Sequence, residues 1–240
     1  MDSATVLALI AVTIGIGVQA WIGIGFGLLS APLLYLISPA YVPGPVLLLG
    51  FVLSLMVVIR HREHLNWPRV LTASVARVPG AWFGAMLLSL LPPPWLAITL
   101  GLALLLALLV TRYRFALEPG RSSLLLAGFS SGVMGTATSV GGPPMAMVYQ
   151  NTERLQSRNE LALFFLLTTP VSLIMLIWNG LFDLETLWLT LPVLPGVVAG
   201  YALAGLLARY VDPQRAKSAV FALSVMGAMM VLMKGIIGLV

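Results

Sequence analysis

The chain alternates between long apolar runs and short polar stretches. The apolar runs fall at 4–29, 43–59, 70–90, 95–111, 122–150, 159–178, 187–206 and 218–238. A helix needs about 20 residues to cross the hydrocarbon core of a bilayer, and most of these runs fit one crossing each. The run 122–150 is too long for one straight span and too short for two. The pattern therefore predicts an all-α integral membrane protein with an irregular element in its second half.

The irregular run contains an unusual helix-breaking sequence. Residues 138–147 read TSVGGPPMAM, with two glycines followed by two prolines. Proline removes a backbone donor and clashes with the preceding turn, so these residues break the helix. Unpaired backbone in lipid costs several kcal/mol per group, and a break is tolerated only inside protein or along a wet cavity. The break is therefore predicted to face a ligand or a cavity.

The charges of the loops indicate how the chain crosses the membrane. Basic loops lie at 60–69, 111–121 and 208–217. The positive-inside rule places these loops in the cytoplasm. The loop 179–185 carries only acidic charges and is expected outside. If 122–150 and 159–178 both crossed the membrane completely, the chain would return to the cytoplasm and this loop would lie inside. The conflict disappears if 122–150 is a re-entrant hairpin that enters and leaves on the cytoplasmic side.

Two halves of the sequence resemble each other. VPGAWFGA at 78–85 matches LPGVVAGY at 194–201, and GFGLLSAPLL at 25–34 aligns with VGGPPMAMVY at 140–149 at nearly the same offset. The repeats are predicted to cover residues 1–115 and 116–240, each a broken re-entrant hairpin plus three transmembrane helices.

The predicted directions of corresponding spans make these repeats inverted. Run 43–59 travels inward and its counterpart 159–178 travels outward, which relates the halves by a pseudo-twofold axis in the membrane plane. This arrangement gives six full spans and places both termini outside. A simpler alternative makes 4–29 a full span with a cytoplasmic N-terminus.

Composition supports the membrane assignment and excludes several functions. Of 240 residues, 60% are hydrophobic and 9% charged, whereas soluble domains carry about 25% charged residues. The net charge of +5 lies mainly in short loops, so it is topogenic and not a nucleic-acid footprint. Cysteine is absent, which excludes disulfides and thiolate metal sites.

No residue pattern indicates catalysis, a metal or a cofactor. His61 and His64 lack a clear third ligand, and no nucleotide-binding or nucleophile motif occurs. Glu160 is the acid nearest to the middle of a span, but it lies close to the cytoplasmic end of its helix. We therefore expect no enzyme activity, no metal and no cofactor.

Candidate binding residues cluster at the two breaks and at two arginines. Helix N-termini and free backbone amides favour an anion. The candidates are Gly25, Gly27, Ser30, Arg77, Thr138, Ser139, Gly141, Gly142, Pro143, Pro144 and Arg158. Arg77 lies about 12 Å into its run, where it either binds an oxyanion or snorkels to the cytoplasmic face. Arg158 either captures an anion, holds the hairpin or is an ordinary topogenic charge, and Gln19 is polar enough to brace a hairpin.

The sequence resembles a known transporter family over nearly its whole length. GVMGTATSVGGPPMAMVYQ, RLQSRNELALFFLL and LIMLIWNGLFD are similar to the second repeat of the sulfite exporter TauE/SafE family, and GIGFGLLSAPLL resembles its first-repeat glycine motif. Arg158 matches the arginine that follows GGPP in this family. Phe26 departs from the family pattern, because it interrupts a run that often consists of consecutive glycines.

The resemblance implies a multi-pass protein of the cell membrane (the inner membrane where there are two). Its expected function is secondary or passive export of sulfite, sulfonates or related small anions by alternating access. An anion channel using the same residues is the alternative. The expected partners are a small anionic substrate and the lipid bilayer, with no nucleic acid and with a homodimer left open.

Overall fold

The computed structural model describes residues 2–22, 25–61, 65–113 and 117–239, and the regular structure within these ranges is helical. The helices are α1 (Ser3–Ile22), α2 (Ala31–Ile37), α3 (Gly44–Arg60), α4 (Trp67–Leu90), α5 (Pro93–Tyr113), α6 (Arg121–Thr138), α7 (Gly142–Tyr149), α8 (Arg154–Trp178), α9 (Leu184–Thr190), α10 (Pro195–Tyr210) and α11 (Pro213–Ile237). A π-helical turn, Phe26–Ser30, precedes α2, and 3-10 turns occupy Pro39–Tyr41 and Leu191–Val193. The prediction of an all-α fold is confirmed.

Seven segments of the described chain are long and apolar enough to cross a membrane. They are Ser3–Ile22, Pro39–Arg60, Trp67–Leu90, Pro93–Tyr113, Arg154–Trp178, Leu184–Tyr210 and Gln214–Ile237. Six of them correspond to the predicted full spans, and the seventh is α1, the first arm of the predicted N-terminal hairpin. The protein is therefore a multi-pass membrane protein. The side on which its N-terminus lies stays a prediction.

The run 122–150 forms a hairpin. Helix α6 ends where Ser139 takes a left-handed conformation, with φ of 64°. The chain then turns back, because the Ser131 hydroxyl donates to the Gly141 carbonyl (2.6 Å) and the Leu117 amide donates to the Met147 carbonyl (2.9 Å). Helix α7 therefore returns along α6.

The prolines of this hairpin lie just past its tip. The turn itself is formed by Ser139–Gly141, while Pro143 and Pro144 occupy the first turn of α7. A missing amide does no harm at that position, because the first helical amides have no intrahelical partner. The prolines thus start the returning helix, so that GGPP lies at and just past the tip.

The N-terminal segment is also a hairpin; we call it hairpin one and the hairpin of residues 122–150 hairpin two. Gly25 has φ of 148°, which a residue with a Cβ rarely adopts. The Phe26 amide donates to the Gln19 side-chain oxygen (2.9 Å), and the Ser30 hydroxyl donates to the Ala11 carbonyl (2.9 Å). Gln19 thus braces the hairpin, as its polarity suggested. Gly23 and Ile24 of the glycine motif lie outside the described residues.

The two halves of the chain exchange their packing partners. Helix α4 packs against α6, and α1 packs against α10. Likewise α7 contacts α5, and α2 contacts α11. The other large contacts pair α3 with α8, α4 with α8, and α5 with α11. The α4–α6 and α5–α7 contacts therefore have the counterparts α1–α10 and α2–α11 with the halves swapped, which agrees with a pseudo-twofold arrangement.

Glycines bring the exchanged helices into close contact. A Cβ on Gly80 of α4 would stand 2.2 Å from the Phe129 carbonyl oxygen, and one on Gly132 of α6 would stand 2.5 Å from the Arg77 carbonyl oxygen. In the other pair, a Cβ on Gly200 of α10 would stand 2.5 Å from the Thr13 carbonyl oxygen. Small residues allow membrane helices to approach this closely. We call the α4–α6 contact the glycine seam.

The two hairpins approach from opposite ends of the bundle. The Arg154 side chain at the start of α8 donates to the Trp21 carbonyl at the end of α1 (2.7 Å). At the other end, the Ser139 hydroxyl donates to the carbonyl of Pro43, just before α3 (3.2 Å). Gly44 packs against Phe182, so the start of α3 lies near the end of α8. These contacts agree with inverted repeats, although the inversion and its boundary at residues 115 and 116 stay predictions.

Candidate functional site

The two helix breaks meet inside the bundle. A Cβ on Gly27 would stand 3.1 Å from the Ser139 carbonyl oxygen, so hairpin one touches the break of hairpin two. A cavity of about 120 Å³ lies beside this contact. It is smaller than the usual ligand pocket but large enough for several water molecules or one small anion.

Eight of the eleven candidate residues from the sequence line this cavity. They are Gly25, Gly27, Arg77, Ser139, Gly141, Gly142, Pro143 and Arg158. Gly142 borders open space, because a Cβ there would meet no other atom within 4 Å. That these residues bind a ligand stays a prediction.

Three candidates lie away from the cavity lining. The Ser30 hydroxyl donates to the Ala11 carbonyl, and the Thr138 hydroxyl donates to the Met134 carbonyl (2.7 Å). Both hydroxyl groups therefore satisfy backbone acceptors within their own hairpins, as polar side chains in membrane helices often do. Pro144 is half-buried in the first turn of α7.

Other residues complete the cavity wall. Apart from the hairpin residues, the lining is mostly apolar and includes Val46, Leu53, Val57, Leu161 and Phe165. Among the polar groups, Thr169 lies on α8, and the Ser54 hydroxyl donates back to the Gly50 carbonyl (2.8 Å). An anion in such a cavity needs a fixed positive charge, because apolar walls do not replace its hydration.

Arg77 supplies a buried positive charge at the cavity wall. It is 1% exposed, so the snorkelling alternative is wrong. Its Nη1 donates to the Ser131 hydroxyl (3.2 Å), while Nε and Nη2 have no hydrogen-bond partner among the described residues. The rings of Phe164 and Phe165 each have their centroid 5.1 Å from its guanidinium carbon. Cation–π contacts offset part of the desolvation cost, but no carboxylate of the described chain forms an ion pair with Arg77.

Arg158 connects the cavity to hairpin one. Its Nη1 donates to the Ala20 carbonyl (3.2 Å), next to the Trp21 carbonyl that Arg154 binds. The last carbonyls of a helix lack intrahelical partners and attract cations. Arg158 therefore holds the end of α1 while its side chain also lines the cavity.

Glu160 lies behind this wall and does not line the cavity. Its buried carboxylate accepts hydrogen bonds from the Gln156 side chain (2.7 Å) and the Asn66 amide (3.3 Å). The other carboxylate oxygen lies 3.8 Å from Nη1 of Arg69. These contacts tie the start of α8 to the start of α4, the helix that carries Arg77.

No metal-binding cluster of three or more His, Cys, Asp or Glu residues occurs within the described ranges. His64, one member of the histidine pair considered above, lies outside those ranges. Among the described residues, none of those that line the cavity is acidic.

Seven apolar segments of the described chain, long enough to cross a membrane and packed around two helix breaks that meet beside a small cavity, define the class as a multi-pass membrane protein. Residues 7–231 match the family model of the sulfite exporter TauE/SafE, which covers most of the chain. The protein therefore belongs to the TauE/SafE sulfite exporter family, a family of membrane transporters, and the resemblance inferred from the sequence is confirmed.

A search of curated proteins finds no match to this chain. A search of solved structures also finds none.

Proposed function

We propose that the protein exports small sulfur-containing anions, such as sulfite or sulfonates, across the cell membrane by alternating access. The anion binds between the two hairpin breaks, where Arg77 balances its charge. The observation that carries the proposal is the buried guanidinium of Arg77, a residue of the cavity lining whose Nε and Nη2 have no hydrogen-bond partner among the described residues.

A small anion is the ligand that this charge requires. A buried cation without a counter-ion is strongly unfavourable, and an oxyanion beside Arg77 would remove that cost. Guanidinium groups bind the paired oxygens of such anions through two parallel hydrogen bonds. The N-terminus of α7, at Gly142, also borders the cavity and adds a partial positive charge of about half a unit.

The arrangement of the hairpins supports a transport cycle. We place residues 1–115 and 116–240 in two inverted repeats whose hairpins part alternately toward each side of the membrane. The exchanged packing of α1 with α10 and of α4 with α6 would make movements in the two halves equivalent. Export needs no coupled ion, because each negative charge leaving an inside-negative cell gains about 2.3 kcal/mol per 100 mV.

Flux through proteoliposomes tests the role of Arg77. We expect Arg77→Gln to abolish sulfite flux, and Arg77→Lys to leave little of it because an ammonium lacks the planar fork. Arg209→Gln is the matched control, because Arg209 is an exposed arginine at the end of α10. The control should transport at the wild-type rate.

A substitution that fills the cavity tests its location independently. Gly142→Leu should block flux without lowering the unfolding temperature, because Gly142 faces open space. Gly205→Leu is the control, since Gly205 in α10 is exposed and also has no neighbour within 4 Å. Normal flux in both Arg77→Gln and Gly142→Leu would contradict the assigned site.

Two further measurements define substrate and mechanism. Stabilisation of the purified protein by a panel of anions identifies the ligand, because a ligand at 100 times its Kd raises the free energy of unfolding by about 2.7 kcal/mol. No stabilisation by any sulfur oxyanion would contradict the substrate class. Single-channel currents in planar bilayers would show that the protein is an anion channel and would contradict alternating access.

A further inference from the structure

We infer that Ser131 is a positioning residue of the anion site, and that it turns Arg77 to receive an anion with two oxygens on one centre. The inference rests on the proposed function. It adds a residue of α6 to the site and specifies the shape of the ligand group that Arg77 recognises.

The direction of each hydrogen bond of Ser131 is fixed by its partners. Its Oγ lies 2.6 Å from the Gly141 carbonyl oxygen and 3.2 Å from Nη1 of Arg77. A carbonyl can only accept, so the single hydroxyl proton goes to Gly141. The hydroxyl oxygen is then an acceptor for Arg77. Ser131 is fully buried, so water does not compete for either bond.

This arrangement decides which edge of the guanidinium is left for a ligand. Nη1 is engaged, whereas Nε and Nη2 lack partners among the described residues. These two nitrogens share one edge of the planar group and point two N–H bonds in parallel. That edge matches two oxygens of one sulfite, sulfonate or carboxylate group. A halide has a single centre and does not use the paired geometry.

The pair formed by Arg77 and Ser131 lies in the α4–α6 contact, and the described residues of the α1–α10 contact contain no such pair. Gly80 faces the Phe129 carbonyl in the glycine seam, and Gly196 of α10 takes the corresponding place against the Leu9 carbonyl. Arg77 stands three residues before Gly80, and the equivalent position before Gly196 is Val193, which is buried.

The position equivalent to Ser131 in the α1–α10 contact is also apolar. Ser131 lies two residues after Phe129, and the residue two after Leu9 is the buried Ala11. A Val–Ala pair thus occupies the place that Arg77 and Ser131 take on the other side. We therefore assign one anion-orienting pair to each chain, between α4 and α6 of hairpin two.

The guanidinium edge of Arg77 that carries Nε and Nη2 is buried in this structure. Nε and Nη2 are both buried, and Phe165 lines the cavity with its ring centroid 5.1 Å from the guanidinium carbon. Contact with a ligand therefore requires the Phe165 ring or the hairpin to move.

Transport kinetics of the full chain in proteoliposomes test the inference. We expect Ser131→Ala to raise KM for sulfite about tenfold, since a hydrogen bond to a charged group is lost, and to leave kcat within about twofold. Ser131→Thr keeps the hydroxyl and should restore KM. Chloride inhibition should change less than sulfite KM. Ser74→Ala is the matched control, because the Ser74 hydroxyl is buried on α4 and donates only to the Val70 carbonyl.

The outcomes separate this inference from the proposed function. If Arg77→Gln abolishes flux while Ser131→Ala keeps the wild-type KM, Ser131 has no positioning role but the anion site stands. An equal KM increase in Ser131→Ala and Ser131→Thr also overturns the role, because the hydroxyl is then not responsible. If Ser131→Ala fails to fold, Ser131→Gly replaces it, because glycine also removes the hydroxyl, and an unchanged KM there has the same meaning. Normal flux in Arg77→Gln rejects the proposed function itself.

Discussion

Gly27 in hairpin one lies directly against the carbonyl oxygen of Ser139 in hairpin two, and a Cβ added to Gly27 would stand 3.1 Å from that oxygen. The two breaks therefore touch where transport would require them to part and meet again. We predict that Gly27→Val holds them apart and lowers sulfite flux at least tenfold, while Gly27→Ala has an intermediate effect. Gly205→Ala serves as control and should transport normally. Wild-type flux in Gly27→Val would show that the contact between the breaks is dispensable.

The glycine seam predicts a loss of stability that is separate from transport. A Cβ at Gly80 would lie 2.2 Å from a backbone oxygen, which cannot move as a flexible side chain can. Gly80→Ala should therefore lower the free energy of unfolding by about 1–3 kcal/mol. Gly205→Ala should be neutral or stabilising, because alanine is favoured over glycine in open helix positions. Unfolding of both variants in detergent gives the comparison, and equal stability would contradict the seam.

Comparing substitutions of Arg158 and Arg154 distinguishes a role in holding hairpin one from a role in transport. Each donates to one of the last carbonyls of α1, but only Arg158 lines the cavity. We expect both Arg158→Ala and Arg154→Ala to lower thermal stability, and only Arg158→Ala to reduce flux several-fold. Flux and unfolding temperature measured on the same preparations decide the point. Equal flux in the two variants would restrict Arg158 to holding the hairpin.

Asp183 gives the protein a pH-dependent helix cap outside the membrane spans. Its carboxylate accepts from the backbone amide (2.9 Å) and the hydroxyl (2.8 Å) of Thr186. These bonds, the backbone bond first, lower the pKa of Asp183 below its usual value of 3.8. A lowered folded-state pKa means that the cap stabilises the fold above pH 3.8, and that this contribution is lost as pH falls through the folded-state value.

The variant Asp183→Ala tests the cap. Its unfolding temperature should be below that of the wild type at neutral pH, and the difference should shrink below pH 3.8. Glu185→Gln removes an acid from the same turn and should show no such convergence. A difference between Asp183→Ala and wild type that is constant down to acid pH would mean that the carboxylate is not the stabilising group.

The sequence predicts the parts of this fold that depend on solvation and backbone chemistry. Apolar runs identified the spans, since burial in lipid requires about 20 apolar residues. The glycines and prolines after Ser139 identified the break, and the charges of the loops indicated that the chain turns back there. Arg77 is a candidate from the sequence alone, because a cation at that depth is unfavourable unless it has a function.

The sequence does not predict contacts that depend on the rotation of one helix against another. Ser130 and Ser131 are adjacent and chemically identical, yet only Ser131 faces Arg77, because the glycines of α6 turn that side toward α4. Thr138 is next to the break, but it bonds back to its own helix and leaves Ser139 to line the cavity. The helical spacing of Gly128, Gly132 and Gly135 was the available signal for this rotation.

The exchange of helices between the halves has a consequence for how the chain reaches its native state. Since α1 packs mainly against α10 and α6 mainly against α4, each half lacks the largest packing partner of its own first helix. A fragment ending near residue 115 would leave the glycine face of α1 bare in the lipid until the second fragment arrived. The two fragments, made separately in one cell, should therefore reassemble into an active protein, while either one alone should be degraded. Such a result would mean that the two predicted repeats mature as one unit, and only after the last helices of the chain have been synthesised.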